Sequence, residues 1–432
     1  MTSRPGIWPL LPEIGLALGV AASTVVAALH LRDAGYLPQP FVFDTNDTFM
    51  DWFNTAYWAN HPGAYDVWRS IYPPLSFVFL DLFSLPGCHL QSGFYARDCD
   101  WLGRGAIYAL YLLDAVLVWL SFRRMDPRTA PMRGLAFALG LPLLFTLERG
   151  NLILAALPCF VIAHGPLVRS RGWRTLSSAA TINFKPYLLL PVLALAVKRD
   201  WRALELAGIA TVAVYCVTLA LVGSGGPLEL ASNTANWVVF QGAQVWNEVN
   251  YATSYAPLLT IRTTPIPILQ FVPSRTVETV EWLVPLIIRA SQAITAAALA
   301  AAWLQPRAVT QARVATLLLG AYLVTQSPGG YTQTFLLFLV LLEPWRRPGP
   351  VVAIVCAYLL CLVGDVPLAK VLDVAGESWL GGRPVTASFG LTLGHFVRPG
   401  LIVILVWALA LDTVREVARA HRRYRPSLAL AL

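Results

Sequence analysis

The sequence predicts an all-α polytopic membrane protein with about 12 transmembrane helices. Three observations carry that prediction. Of 432 residues, 56% are hydrophobic and 13% charged, against a charged share of about 25% in soluble domains. Mean hydropathy is +0.59. The apolar residues form long runs rather than the alternating segments, roughly ten residues each, of a transmembrane β-barrel. A soluble globular domain, a disordered chain and a nucleic-acid binder are excluded on these grounds. The net charge of +8 reads as basic loops facing an anionic cytoplasmic leaflet.

In chain order, the first span is expected at 9–31. It lacks a small-residue cleavage pattern and reads as a retained anchor. The run 72–86 has 15 residues and carries Asp81, too short to cross unaided, so it reads as an interfacial or re-entrant segment. Spans are expected next at 103–121, 134–149, 151–168, 203–222, 282–304, 312–328, 331–344, 350–366 and 398–413. The stretch 175–197 holds Lys185-Pro186 at its centre between Arg174 and Lys198. It reads as a hairpin of two short helices meeting at Lys185.

Positive charge orients this topology. The segments assigned to the cytoplasm hold 20 of the 32 Lys and Arg residues, among them Arg123, Arg124, Arg133, Arg313 and five arginines in the basic tail 414–432. A full span at 72–86 would place Arg123 and Arg124 outside. The chain is therefore expected as a single integral domain, 1–432, in an inner (plasma) membrane, with both termini cytoplasmic. Three long external loops, 32–102, 223–281 and 367–397, hold most of the Asp, Asn, Gln and Trp, which points to a site at the extracytoplasmic face.

Cys88 and Cys99 share the first external loop and are candidates for a disulfide on an oxidising face. The other four cysteines lie in apolar runs and read as packing residues. The six histidines are scattered, with no CxxC or HExxH spacing, so no metal site is expected.

Candidate chemistry begins in the first loop. Asp44, Asp47 and Asp51 precede the aromatics Trp52, Phe53, Tyr57, Trp58, Tyr65 and Trp68. Asp47 and Asp51, four apart, would share a helix face. Like charges there raise one pKa, which suits a general base. The plainer reading is solvated loop acids or helix caps. The aromatics fit an interfacial belt or a surface for stacking sugar rings. Tyr72-Pro73-Pro74 sets an extended turn before a helix. Glu148-Arg149-Gly150-Asn151 joins two spans. A charged pair so near the apolar core either neutralises itself or is functional, and the Arg149 fork suits phosphate. Lys185, beside a helix-breaking proline, is an intramembrane cation and so a functional candidate for an anionic head group; Tyr187 stands next to it. Gln326, Tyr331 and Gln333 flank a Ser-Pro-Gly-Gly break, and Asn247 and Asn250 lie in the second loop. These residues complete the set of expected substrate contacts.

The order of these motifs resembles the GT-C class of membrane glycosyltransferases: an acidic external loop, Tyr-Pro-Pro, Arg-Gly-Asn at a span start, Lys-Pro in a broken helix, and a late Ser-Pro. It is most similar to the branch of polyprenyl-phosphate-mannose-dependent mannosyltransferases, over roughly residues 10–415. The resemblance implies juxtamembrane helices in the first external loop and a catalytic acid there, well ahead of Tyr-Pro-Pro. Asp47 stands 25 residues before Tyr72 and fits that spacing; Asp51 is a little close. The late motif departs from the family, with Tyr331 and Gln333 where a Trp and a His are usual.

The resemblance and the residues together predict an inverting glycosyltransferase. It would move a hexose such as mannose from a polyprenyl-phosphate donor to a glycan or glycolipid acceptor. Asp47 or Asp51 would act as base, and Lys185 and Arg149 would hold the donor phosphate. The scheme requires no cofactor and is compatible with a divalent metal. The alternative is a transporter or flippase for a lipid-linked saccharide, which would share Lys185 and need no base.

Overall fold

Helices in this chain begin and end where proline, glycine and capping side chains dictate. The computed structural model describes residues 10–41, 44–223, 225–244, 253–260, 262 and 272–429. In it, α1 (Leu11–Ala34) opens with a proline in its first turn and stops at Gly35, whose φ of 85° suits glycine. Three short helices lie in the first loop: α2 (Met50–Ala59), α3 (Pro74–Leu82) and α4 (Gly93–Cys99). Asp100 then caps α5 (Trp101–Met125) by accepting the Gly103 N–H at 3.0 Å. The run 72–86 thus holds a short helix, α3, packed on α2, α9 (Arg171–Phe184) and α12 (Trp201–Val222).

The expected span 134–149 is a bent pair, α6 (Ala130–Ala138) and α7 (Leu141–Arg149). The bend sits at Gly140, where a Cβ would meet the Ala136 carbonyl oxygen and Cys361. The next helices are α8 (Ile153–His164) and, after α9, a turn at Lys185 leading to α10 (Leu189–Val192) and α11 (Ala194–Val197). The expected break at Lys185 is therefore present. Beyond α12 come α13 (Pro227–Gln244), α14 (Ser274–Leu304), α15 (Gln311–Thr325), α16 (Gln333–Leu341), α17 (Pro348–Leu360) and α18 (Gly394–Ala429).

The chain is a mostly helical, membrane-embedded protein. Among the described residues, five helical segments are long and apolar enough to cross a bilayer: α1, α5, the α6–α7 pair, α12 and α14. The count of 12 spans is not reproduced. The expected spans 151–168, 331–344 and 350–366 appear as α8, α16 and α17, of 12, 9 and 13 residues. All nine residues of α16 are buried. These helices are apolar because protein surrounds them, and hydropathy does not distinguish that environment from lipid.

The all-α expectation holds for the body of the chain, with one addition. The segment expected as the third external loop contains an antiparallel hairpin of β1 (Pro367–Ser378) and β2 (Arg383–Thr392), with Val374 opposite Ala387 and Ser378 opposite Arg383. Its cause is legible in β2: Val385, Ala387 and Phe389 alternate with the exposed Pro384, Thr386 and Ser388, and Gly381-Gly382 makes the turn.

The end of the bundle opposite the hairpin is fastened by buried ions. Arg133 donates to both Glu13 oxygens, at 3.0 and 2.8 Å, and to the Glu343 carbonyl at 2.8 Å; the Tyr358 hydroxyl donates to Glu13 at 3.0 Å. Arg313 grips Glu343 at 2.5 and 2.6 Å and reaches Asp412 at 3.3 Å. Arg133 and Arg313, expected as loop charges, are both buried structural cations.

Candidate functional site

The two acids meet through a strained backbone rather than along one helix. Asp47 lies in the turn before α2, and Asp51 lies in the first turn of α2. The expected shared helix face is therefore not what brings them together. Between them Phe49 adopts φ 64°, a left-handed conformation costly for a bulky residue. Its N–H donates to the Glu148 carbonyl at 2.8 Å, and its ring packs on Tyr108 and Trp379. These contacts hold the strained turn.

From α7 the sequence Arg149-Gly150-Asn151 reaches into that turn. Arg149 donates through Nη1 to Asp47 Oδ2 and through Nη2 to Asp51 Oδ1, the latter at 2.8 Å. Asn151 Nδ2 donates to Asp51 Oδ2 at 2.6 Å, while its own Oδ1 accepts the Ile153 N–H at 3.1 Å. Gly150 links them at φ 59°, and a Cβ there would press on Phe49 and Trp52 at 3.1 Å. Both oxygens of Asp51 are thus occupied. Among the described residues, Asp47 Oδ1 has no side-chain partner.

Electrostatics separate the pair. Burial opposes the charge of Asp51, but Arg149, Asn151 and Lys185 outweigh it and hold its pKa below the ordinary value. At Asp47 burial outweighs Arg149, and the pKa is raised. Asp51 is a fixed carboxylate; Asp47 is a partly free one with greater proton affinity.

Lys185 closes the other side. Its ammonium lies 4.6 Å from the centroid of the Tyr72 ring and 5.9 Å from that of Tyr331. It is buried, and no carboxylate pairs with it among the described residues. The Tyr72 hydroxyl points toward Asn151 and Thr55, and burial together with the charge of Asp51 keeps it protonated. Asp47, Arg149, Asp51, Asn151, Tyr72, Lys185 and Tyr331 therefore form one continuous cluster. Tyr187 borders it, stacked on Tyr322 at 5.4 Å with its hydroxyl 3.3 Å from Thr332 Oγ1.

Other expected contacts lie elsewhere. Glu148 makes no direct ion pair with Arg149 among the described residues; its Oε1 accepts from Thr48 at 3.2 Å. Gln326 is exposed, and its carbonyl accepts from Thr253. Gln333 is fully buried, and its amide has no hydrogen-bond partner among the described residues. Asn247 and Asn250 lie outside the described residues. Trp52, Phe53 and Tyr65 are core residues, neither belt nor sugar platform. Arg149 is already committed to two carboxylates, so the expectation of two free cations for phosphate reduces to Lys185.

Sequence reasoning missed the supports of the acidic turn. Arg97 on α4 donates to the Asn46 carbonyl, and to Asn46 Oδ1 at 3.0 Å. Its guanidinium also lies 5.1 Å from the Trp379 ring. The Cys88–Cys99 disulfide closes the loop that carries α4. Trp379, at the hairpin tip, donates to Asp98 at 2.8 Å. No spacing rule links residues 97 and 379 to residue 47; the disulfide was the one local signal. No protein-family model, curated protein or solved structure matches the chain.

Proposed function

We propose that the protein is an inverting membrane glycosyltransferase that uses a polyprenyl-phosphate sugar, such as a mannosyl donor, at the membrane face where the acidic turn lies. One observation carries the reading. An aspartate of raised proton affinity, with one oxygen that has no side-chain partner among the described residues, shares a cluster with a buried lysine that makes no direct ion pair there, Asp51 acting on it only through space. A base and an anion-binding cation are the two groups that transfer from a lipid phosphate requires. The GT-C-like motif order is the second support.

In this reading Asp47 Oδ1 takes the proton of the acceptor hydroxyl. The acceptor oxygen forms its bond to the anomeric carbon from the face opposite the phosphate. The carbon–oxygen bond to phosphate breaks, and its electron pair leaves with the polyprenyl phosphate. Lys185 stabilises that leaving charge, with Tyr72 and Tyr331 fixing the ammonium. Arg149 and Asn151 act as positioning residues: they hold Asp51, and through it the turn that aims Asp47.

The test is transfer by purified protein in nanodiscs from a panel of radiolabelled polyprenyl-phosphate sugars to a glycolipid and glycan extract. Asp47→Asn is expected to lower transfer by about 10²–10⁴-fold while retaining donor binding. Lys185→Ala is expected to weaken donor binding. Full transfer by Asp47→Asn refutes the base assignment. Donor movement across the bilayer without transfer would favour the transporter alternative, which needs Lys185 and no base.

A further inference from the structure

The far end of α2 borders a second cavity. Trp58 stands seven residues after Asp51, which places it on nearly the same helix face and about 10.5 Å further along the axis. It lines a cavity of about 310 Å³ that shares no lining residue with the acidic cluster. That volume is at the lower end of small-molecule sites, which run from about 300 to 1,000 Å³. One wall is α3, through Phe77 and Asp81, and another is the end of α12, through Leu221 and Val222. Tyr72 packs with Trp58 and Phe77 in one apolar group and also covers Lys185, so it stands between the cavity and the cluster.

The lining has a distinct chemistry. The Trp58 indole lies nearly parallel to Trp68, with ring planes 17° apart and centroids 6.4 Å apart, and lines the cavity. His61 Nδ1 lies 2.8 Å from the Tyr57 carbonyl, a contact that requires the proton on Nδ1 and leaves Nε2 as an acceptor. Asp81 is exposed, and its carboxylate has no partner among the described residues. It occupies the last turn of α3, where the helix dipole disfavours negative charge. Local helix stability therefore does not account for an acid at this position. Among the described residues no Lys or Arg lines the cavity, which argues against an anionic ligand.

We infer that this cavity is a binding subsite for a neutral sugar ring, with Trp58 as the stacking face and Asp81 and His61 accepting from sugar hydroxyls. If the transferase reading holds, the ring belongs to the acceptor. The spacing from Asp51 then makes the acceptor an oligosaccharide, since a single pyranose ring does not span both places. Sugar binding itself does not depend on that reading.

The probes are neutral gluco-, manno- and galacto-trisaccharides, titrated against the full chain in nanodiscs and read by saturation-transfer NMR, with phosphocholine as a separate arm. At least one trisaccharide is expected to bind. Trp58→Ala and Asp81→Asn are each expected to weaken it about tenfold, with thermal unfolding checking that the variants fold. Binding of phosphocholine and no saccharide overturns the inference, as does a folded wild type that binds no trisaccharide, or binding untouched by Asp81→Asn. Trisaccharide binding of this kind without transfer from any donor supports the subsite while counting against the transferase reading.

Discussion

Replacing Arg149 by methionine removes the one cation that bridges Asp47 and Asp51. Both carboxylates sit on a single guanidinium fork, so their facing oxygens are about 5 Å apart. Two unit charges at that distance, in an effective dielectric near 20, repel by about 3 kcal/mol, equivalent to about 2 pKa units. In the wild type, Asp51 has a lowered pKa. Its contribution to stability is present above the unfolded aspartate value, about 3.9, and is lost as pH falls through the folded value. Asp47, with a raised pKa, opposes it in sign. In Arg149→Met both values rise and the pair retains a proton. The native state then binds more protons than the unfolded one, and stability falls as pH rises. Arg149→Met is expected to gain more stability than the wild type on going from pH 7 to pH 5, the difference reaching about 3 kcal/mol. Thermal unfolding in nanodiscs across that range measures it, and Arg149→Lys should recover part of the wild-type behaviour. An identical pH dependence in wild type and Arg149→Met would refute the electrostatic account of the pair, whatever the protein's activity.

Two more contacts lend themselves to substitution. Arg133→Met leaves Glu13 buried without its partner and is expected to cost about 3–5 kcal/mol, with Glu13→Gln/Arg133→Met less destabilised than the single variant; denaturant unfolding compares them. Trp379→Ala removes the ring that packs on Phe49 and Arg97 and the N–H bonded to Asp98. It is expected to speed amide hydrogen exchange in residues 44–50 by about tenfold or more, and unchanged exchange there would show that the hairpin does not support the turn.

The long apolar runs announce α1, α5, α12 and α14, and Lys185-Pro186 announces its own break, because each is a local property of the chain. The buried helices α8 and α16 read as spans in the sequence, since a residue covered by protein and one covered by lipid are equally apolar. Residues 367–392 read as loop, although β2 alternates. At the site, the acids, Arg149, Asn151 and Lys185 are each legible as charges or amides out of place. Their pairing is not: Asp47 and Arg149 are 102 residues apart, and nothing local reveals that Arg149 chooses Asp51 over Glu148.

The hairpin has a consequence for how the protein is made. Thr45 bonds to Glu377, 332 residues later; Gln39 bonds to Gly390, 351 residues later; and Trp379 bonds to Asp98, 281 residues earlier. Synthesis proceeds from the N-terminus, so the acidic turn and its contacts to Arg97, Glu148 and Arg149 are made long before the hairpin that braces it from the other side. The hairpin's contacts to Thr45, Gln39 and Asp98 form only when β1 and β2 emerge and fold back. A nascent chain halted before residue 367 would carry every residue of the charged cluster and its first supports, and would lack the bonds from the hairpin, so the last brace of the site is added late in synthesis.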